Sequence, residues 1–202
     1  GDYQNGIFIY SAGVSVFKIR TELFLADIPG DGFYHNAGRV SVLPPVCEKD
    51  DAKDSYGVKR MSKRIGIISD THNLLCPEVL DILKTCDCIL HAGDVTKEAL
   101  LDQIRFLGNL YVVRGNNDGD WAKNITKVLK FEIDGVHFVM AHERRHLIGQ
   151  TEGADVAVFG HTHKYFEEQS ENMLWLNPGS CGYPRFGGAV SMAVMQVEDG
   201  EY

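Results

Sequence analysis

Five short hydrophobic runs in this chain each stop at a residue that can bind a metal ion. Residues 64–69 run into Asp70 and His72, and residues 88–93 into Asp94. Residues 110–115 lead to Asn116, 136–141 to His142, and 155–160 to His161 and His163. Apolar runs of this length, bounded by Gly, Asp and Asn, read as buried strands. When such strands lie in one sheet, their carboxyl ends meet along one edge, where the sites of open α/β folds assemble. A single polar strand end carries little information. Five of them, all ending in nitrogen or oxygen donors, point to a shared site.

The chain's 202 residues suffice for one well-buried domain with a small appendage. A formal net charge of −8 and a pI near 5.4 leave no net positive field to displace counterions from a nucleic-acid backbone. Bulk nucleic-acid binding is therefore not expected. No run approaches the roughly 18 apolar residues of a membrane helix, so no membrane partner is expected either. Gly1-Asp2 lacks the basic n-region of a secretory signal. The five cysteines form no C-x-x-C pair and read as reduced thiols, which together suggests a cytoplasmic protein.

The chain divides in two by composition. Residues 1–60 read as an extension, with β-like alternation at 14–19 and 39–43 around Pro29-Gly30-Asp31-Gly32, then a charged linker at 48–60. Met61 resembles a start codon's residue, followed at once by the first core strand, and 61–202 form the main domain. There strands alternate with helices. Pro77 suits a helix N1 position, and Thr96 is expected to cap a second helix that runs to Phe106. Asp134-Gly135 marks a hairpin between strands at 130–133 and 136–140, and further strands are expected at 173–176 and 190–197. Asp199-Gly200 is another turn, after which the return strand is missing. That exposed sheet edge predicts that a strand from 1–46, of the same or a neighbouring chain, docks on the domain.

Asp70 and His72 lie two residues apart just past a strand end, and Asp94 offers two oxygens that can bridge two cations. Asn116 supplies a neutral amide oxygen, and His142, His161 and His163 complete the set. Mixed imidazole and carboxylate donors suit Mn, Fe, Zn or Ni better than Ca or Mg. A bimetallic site about 3.5–4 Å across needs some seven protein contacts and a shared bridge, and these seven residues supply them.

The order D-x-H, G-D, G-N-x-D, H, G-H-x-H resembles the calcineurin-like metallophosphoesterase superfamily, and within it the small YfcE-type phosphodiesterases. The resemblance covers residues 63–202 and no part of 1–60. It implies an α/β–β sandwich of two mixed sheets with flanking helices. It also implies two divalent transition-metal ions, manganese foremost, with nickel, zinc or iron as alternatives. One cation would take Asp70, His72 and His163, and the other Asn116, His142 and His161, with Asp94 bridging. The implied activity is phosphodiester hydrolysis by a hydroxide held between the cations, on a small phosphoester substrate. Asn177, Gly179 and Ser180 match a family loop beside the metals, and Arg185 follows where the family commonly has Arg, so these four are candidates for substrate binding.

Two departures from the pattern bear on catalysis. Many members carry His after the metal-binding Asn, where this chain has Asn117, which cannot act as a general acid. The usual His-Gly-His is replaced by His142-Glu143-Arg144-Arg145-His146, so His146 is the candidate substitute. His91 and His137 alternate with apolar neighbours and read as packing or outer-layer residues rather than ligands. Asp118 reads equally as an outer-layer residue or a turn-stabilising one. Arg144 and Arg145 read equally as phosphate-binding or as a solvated charged loop. The alternatives to an esterase are a metal-poor binding scaffold of the same fold, as in one retromer subunit, or a nuclease. A homo-oligomer is compatible with the open sheet edge.

Overall fold

The computed structural model describes residues 7–11, 14–19, 62–170, 172–183 and 189–202. In chain order the strands are β1 (Ile7–Ser11), β2 (Val14–Ile19), β3 (Lys63–Ile68), β4 (Cys88–His91) and β5 (Asn109–Val112). They continue with β6 (Val128–Ile133), β7 (Val136–Ala141), β8 (Val156–Val158), β9 (Tyr165–Ser170), β10 (Met173–Pro178) and β11 (Val190–Val197). The helices are α1 (Pro77–Leu83) and α2 (Glu98–Arg105). Two mixed sheets result, ordered β1-β2-β11-β3-β4-β5 and β6-β7-β8-β10-β9. The fold is the expected two-sheet α/β sandwich.

The five hydrophobic runs do not share a sheet. Three become the parallel strands β3, β4 and β5, and two become β7 and β8 of the second sheet. The donors therefore gather where the ends of two stacked sheets meet, not along the edge of one. Parallel register brings the strand ends level: Ile68 pairs with His91, and His91 with Val112. Between the sheets lies one core, with Ile65, Ile67 and Leu90 from the first sheet against Phe138, Met140, Val158 and Leu176 from the second. Helices α1 and α2 cover the outer face of the first sheet through Val79, Leu83, Leu101 and Ile104. Burying each such side chain is worth about 1.5–3 kcal/mol, so packing holds these short helices in place.

Local signals behave unevenly. Pro77 opens α1 as expected, and Asp134-Gly135 forms the hairpin turn between β6 and β7, both residues in the left-handed region that a type I′ turn requires. Thr96 does not cap α2. It lies in the left-handed region, the helix begins at Glu98, and Lys97 precedes it without a side-chain cap. Strand β9 was not expected, because Glu167, Glu168 and Gln169 interrupt any alternation. Pairing to β10 along its whole length, from Ser170–Met173 to Tyr165–Pro178, forms it at the sheet edge.

Strand β11 pairs on one side with β3 and on the other with β2, and β2 pairs in turn with β1. Strands β1 and β2 group with the described residues from Ser62 onward in one compact unit. The alternating stretch at 39–43 and the charged stretch at 48–60 lie outside the described residues. No helix among the described residues is long and apolar enough to cross a membrane.

A chain beginning at Ser62 would leave β11 as an unpaired edge. It is expected to keep its metal-binding residues in place but to melt at least about 5 °C lower, or to associate through the freed edge. Calorimetry and solution mass check this, and an unchanged melting temperature and mass would contradict it.

Candidate metal centre

Loops after β3 and β4 run on side by side beyond the strands. Asp70 N–H donates to Gly93 O, and His72 N–H to Asp94 O, each at 3.0 Å. Five of the seven expected ligands, Asp70, His72, Asp94, His161 and His163, have positive φ, between 45° and 69°. Such backbone is sparsely populated in residues other than glycine and persists only where surrounding bonds enforce it. Two glycines permit the close approach of these loops. A Cβ at Gly115 would lie 2.1 Å from Asp94 Oδ1, and one at Gly160 would lie 1.9 Å from Ser69 Oγ.

Asp70 is fully buried, and its two oxygens have different tasks. Oδ2 accepts hydrogen bonds from Ser69 Oγ at 2.7 Å and from the His161 N–H at 3.0 Å. Oδ1 has no hydrogen-bond partner. It faces His163 Nε2 at 3.5 Å and His72 Nε2 at 3.9 Å. Burial pushes the pKa of Asp70 up to about 6, against the charge of His142 and the Ser69 bond, which lower it.

The donor atoms of Asp70, His72 and His163 all lie within 4.8 Å of one another, as do those of Asp70, Asp94 and His142. Asn116 Oδ1 extends the second group, 3.0 Å from both His142 Nε2 and His161 Nδ1. Sequence reading gives the bridging place to Asp94. Its Oδ2 does stand between the groups, 3.8 Å from His72 Nε2 and 3.4 Å from His142 Nε2. Asp70 belongs to both groups as well. For Asp94, burial acts to raise the pKa, but His142 and the two Asn117 N–H groups outweigh it and hold the carboxylate ionised well below its usual range. The His142 Nδ1 lies 2.7 Å from Ala92 O, which fixes the proton there and turns Nε2 toward the cluster. For His142 itself burial acts to lower the pKa, and the bond to Asp94 and the charges of Asp70 and Asp94 carry it upward.

A carboxylate oxygen buried without a donor, two imidazole nitrogens aimed at it and a second imidazole–amide–carboxylate group beside it form a donor set that fits divalent transition metals.

The remaining candidates fall around this cluster. Asn117 braces Asp94, its backbone N–H at 2.8 Å from Oδ1 and its Nδ2 at 2.6 Å from Oδ2. Asp118 accepts the N–H groups of Asp94, Thr96 and Gly115 at 3.1, 2.7 and 2.7 Å, so it ties the Asp94 and Asn116 loops together. Asn177 is buried, donating to Gly160 O and Thr162 Oγ1 and accepting from Gly179 N. Ser180 Oγ donates to Asp70 O. The polar atoms of this loop hold the ligand-bearing backbone in position. Arg185 lies outside the described residues. His146 sits half-buried in a 3-10 turn, Arg144–Leu147, where its N–H bonds Glu143 O at 2.9 Å; among the described residues no contact joins its ring to the cluster.

Arg144 is exposed, but its guanidinium is held against rings and pairs with Glu168 at 3.8 Å. Its guanidinium stacks 4.5 Å from the Trp175 ring and 5.1 Å from that of Phe166. Arg145 pairs with Glu143 at 2.8 Å. His137 is solvent-exposed and bonded to Asp155, away from the packing role expected of it. His91 is fully buried, with Nε2 3.0 Å from Thr71 Oγ1 and Nδ1 accepting Gly93 N–H at 3.2 Å. Burial, with the charge of His142, lowers its pKa to about 3 and keeps it neutral. Ser69 and Thr71, which sequence reading passed over, are small hydroxyl residues flanking Asp70, and that adjacency was the available signal.

The family model of the calcineurin-like phosphoesterase superfamily domain matches residues 64–200. A probable metallophosphoesterase of Methanothermobacter thermautotrophicus is 34% identical over 151 residues, covering 68% of this chain and 87% of that protein. A phosphodiesterase of Methanocaldococcus jannaschii is 28% identical over 162 residues, covering 69% of this chain and 96% of its own. Vacuolar protein sorting 29 of Cryptosporidium parvum shares the fold with a TM-score of 0.61 at 19% identity, over 69% of this chain and 87% of that one. On the extent of the family match and the identity to the archaeal relative, this chain belongs to the calcineurin-like phosphoesterase superfamily.

Proposed function

We propose that this chain is a phosphodiesterase that works with two divalent cations. The observation that carries the reading is the pair of donor groups meeting at Asp70 and Asp94, each completed by its own histidines. When bound, two cations supply a water of lowered pKa and neutralise the charge of the phosphate. The first would be held by Asp70, His72 and His163, the second by Asn116, His142 and His161, with Asp94 facing both. Manganese is the proposed metal, with nickel, zinc and iron as the competing choices.

The protein's own residues do the rest. Ser69 and the His161 N–H fix one oxygen of Asp70 so that the other stays directed at the histidines. Asn117 and Asp118 hold Asp94 in its strained conformation. A singly charged diester suits the site better than a dianionic monoester, because Glu143 stands beside His142, and a relative named a phosphodiesterase supports the same choice. A small phosphoester in the cytoplasm is the proposed substrate. The complete donor set speaks for an enzyme over a binding scaffold, and the acidic net charge against a nuclease.

Replacing Asp94 by Asn removes the carboxylate charge that faces both groups. Asp94→Asn protein is expected to lose most of its Mn²⁺ at both positions and at least about 100-fold of its rate on bis-(p-nitrophenyl) phosphate. Elemental analysis and the assay check this together, and two retained metals with normal turnover would contradict the reading.

A cation must displace a proton from Asp70 wherever that carboxyl is protonated. Its pKa is raised to about 6, so the metal-ready form prevails above that pH and is lost below it. Mn²⁺ affinity is expected to fall by about tenfold per pH unit below 6 from this group alone. Titrations at pH 5 and 7 that gave equal affinities would contradict a ligating Asp70 with a raised pKa.

Asn117 has no acidic proton, and a general acid is typically worth about 10²–10⁴ in rate. Activated aryl diesters are expected to be cleaved much faster than alkyl monoesters, and Asn117→His to narrow the gap for poor leaving groups. A rate independent of leaving-group pKa, with chemistry limiting, would mean that His146 or another side chain already serves as the acid.

A further inference from the structure

His91 closes β4 and belongs to neither donor group, yet both its ring nitrogens are engaged in the space between them. The Gly93 N–H donates to Nδ1, so the ring proton sits on Nε2 and is donated to Thr71 Oγ1. The Thr71 hydroxyl in turn points its own proton at Asp94 O, 3.5 Å away. Thr71 is the middle residue of Asp70-Thr71-His72, and Gly93 is the residue before Asp94. One buried side chain thereby spans the two loops that carry Asp70, His72 and Asp94, all three of which have positive φ.

We propose that His91 is a positioning residue whose bonds to Thr71 and Gly93 set the separation of these loops, and with it the affinity for both cations together. Left-handed residues relax readily unless relaxation breaks something. Here relaxation would strand a buried hydroxyl and a buried imidazole without partners, which a low-dielectric interior penalises heavily. The backbone bonds from Asp70 N–H to Gly93 O and from His72 N–H to Asp94 O lie on the same two loops, so the side-chain rung and the backbone rungs reinforce one register. Neither Thr71 nor His91 belongs to either donor group. Their effect passes through the shape of the loops.

The inference rests on the two-cation reading, and Mn²⁺ titration of the unaltered protein tests that reading separately by its stoichiometry. The inference itself is tested by the same titration on Thr71→Val, His91→Leu, the double variant and His91→Gln, alongside metal-free melting temperatures. Thr71→Val and His91→Leu are each expected to weaken Mn²⁺ binding at both positions by about 10–100-fold. The double variant should be little worse than either alone, since both remove the same bond. His91→Gln, whose amide can still donate to Thr71, should fall nearest the unaltered protein. Thr71→Val is nearly isosteric and carries the test if His91→Leu fails to fold. Unchanged Mn²⁺ affinity in folded protein, weakening at one position only, or losses that multiply in the double variant would each overturn the proposal.

Discussion

Asp70 sits where a carboxylate is hardest to keep: fully buried, with one oxygen hydrogen-bonded and the other left without a donor. An ionised carboxylate in such a place demands either a proton or a cation, because desolvation of an uncompensated charge is among the largest penalties in a protein interior. The histidine nitrogens around Oδ1 can share a metal with it, and burial raises its pKa to about 6, so a proton competes with the metal only below that pH. Ser69, Gly160 and Ser180 are all arranged about that one side chain or its backbone, and Asn177 in turn holds the Gly160 carbonyl. Their identities follow from the need to present Asp70 in a single orientation.

Backbone strain spreads the same demand over the whole site. Each residue other than glycine in the left-handed region costs about 1–2 kcal/mol, and five expected ligands sit there. The sheets make this tolerable. Parallel strands β3, β4 and β5 end level, and β7 and β8 bring His142 and His161 from the opposite layer. The packed core between the layers fixes their separation. The site is a junction of two rigid bodies of structure, and its ligands are loops too short to relax independently.

Much of this was legible in the sequence because buried parallel strands have little freedom in composition. The runs that became β3, β4, β7 and β8 are almost wholly apolar, and each stops at the polar residue that enters the site. The division of those runs between two sheets is not written in their periodicity, since a strand buried in either layer reads alike. Edge elements were hidden for the opposite reason. β9 carries Glu167, Glu168 and Gln169, and only its pairing with β10 makes it a strand. Thr96 looked like a helix cap because its hydroxyl suits one, but its N–H is claimed by Asp118 from across the site. The roles of Thr71, His91 and Arg144 depend on partners 20 residues away or more in the first two cases, and on a cluster of rings from three strands or their ends in the third. Local spacing holds no record of such contacts.

The central claim is that two cations bind between the sheet ends, one on each donor group. Crystals grown with Mn²⁺ and measured at the manganese absorption edge test it directly. The expected result is two anomalous peaks about 3.5–4 Å apart, one beside Asp70, His72 and His163 and the other beside Asn116, His142 and His161, with Asp94 reaching both. A single peak, or none at these residues with Mn²⁺ in excess, would contradict it.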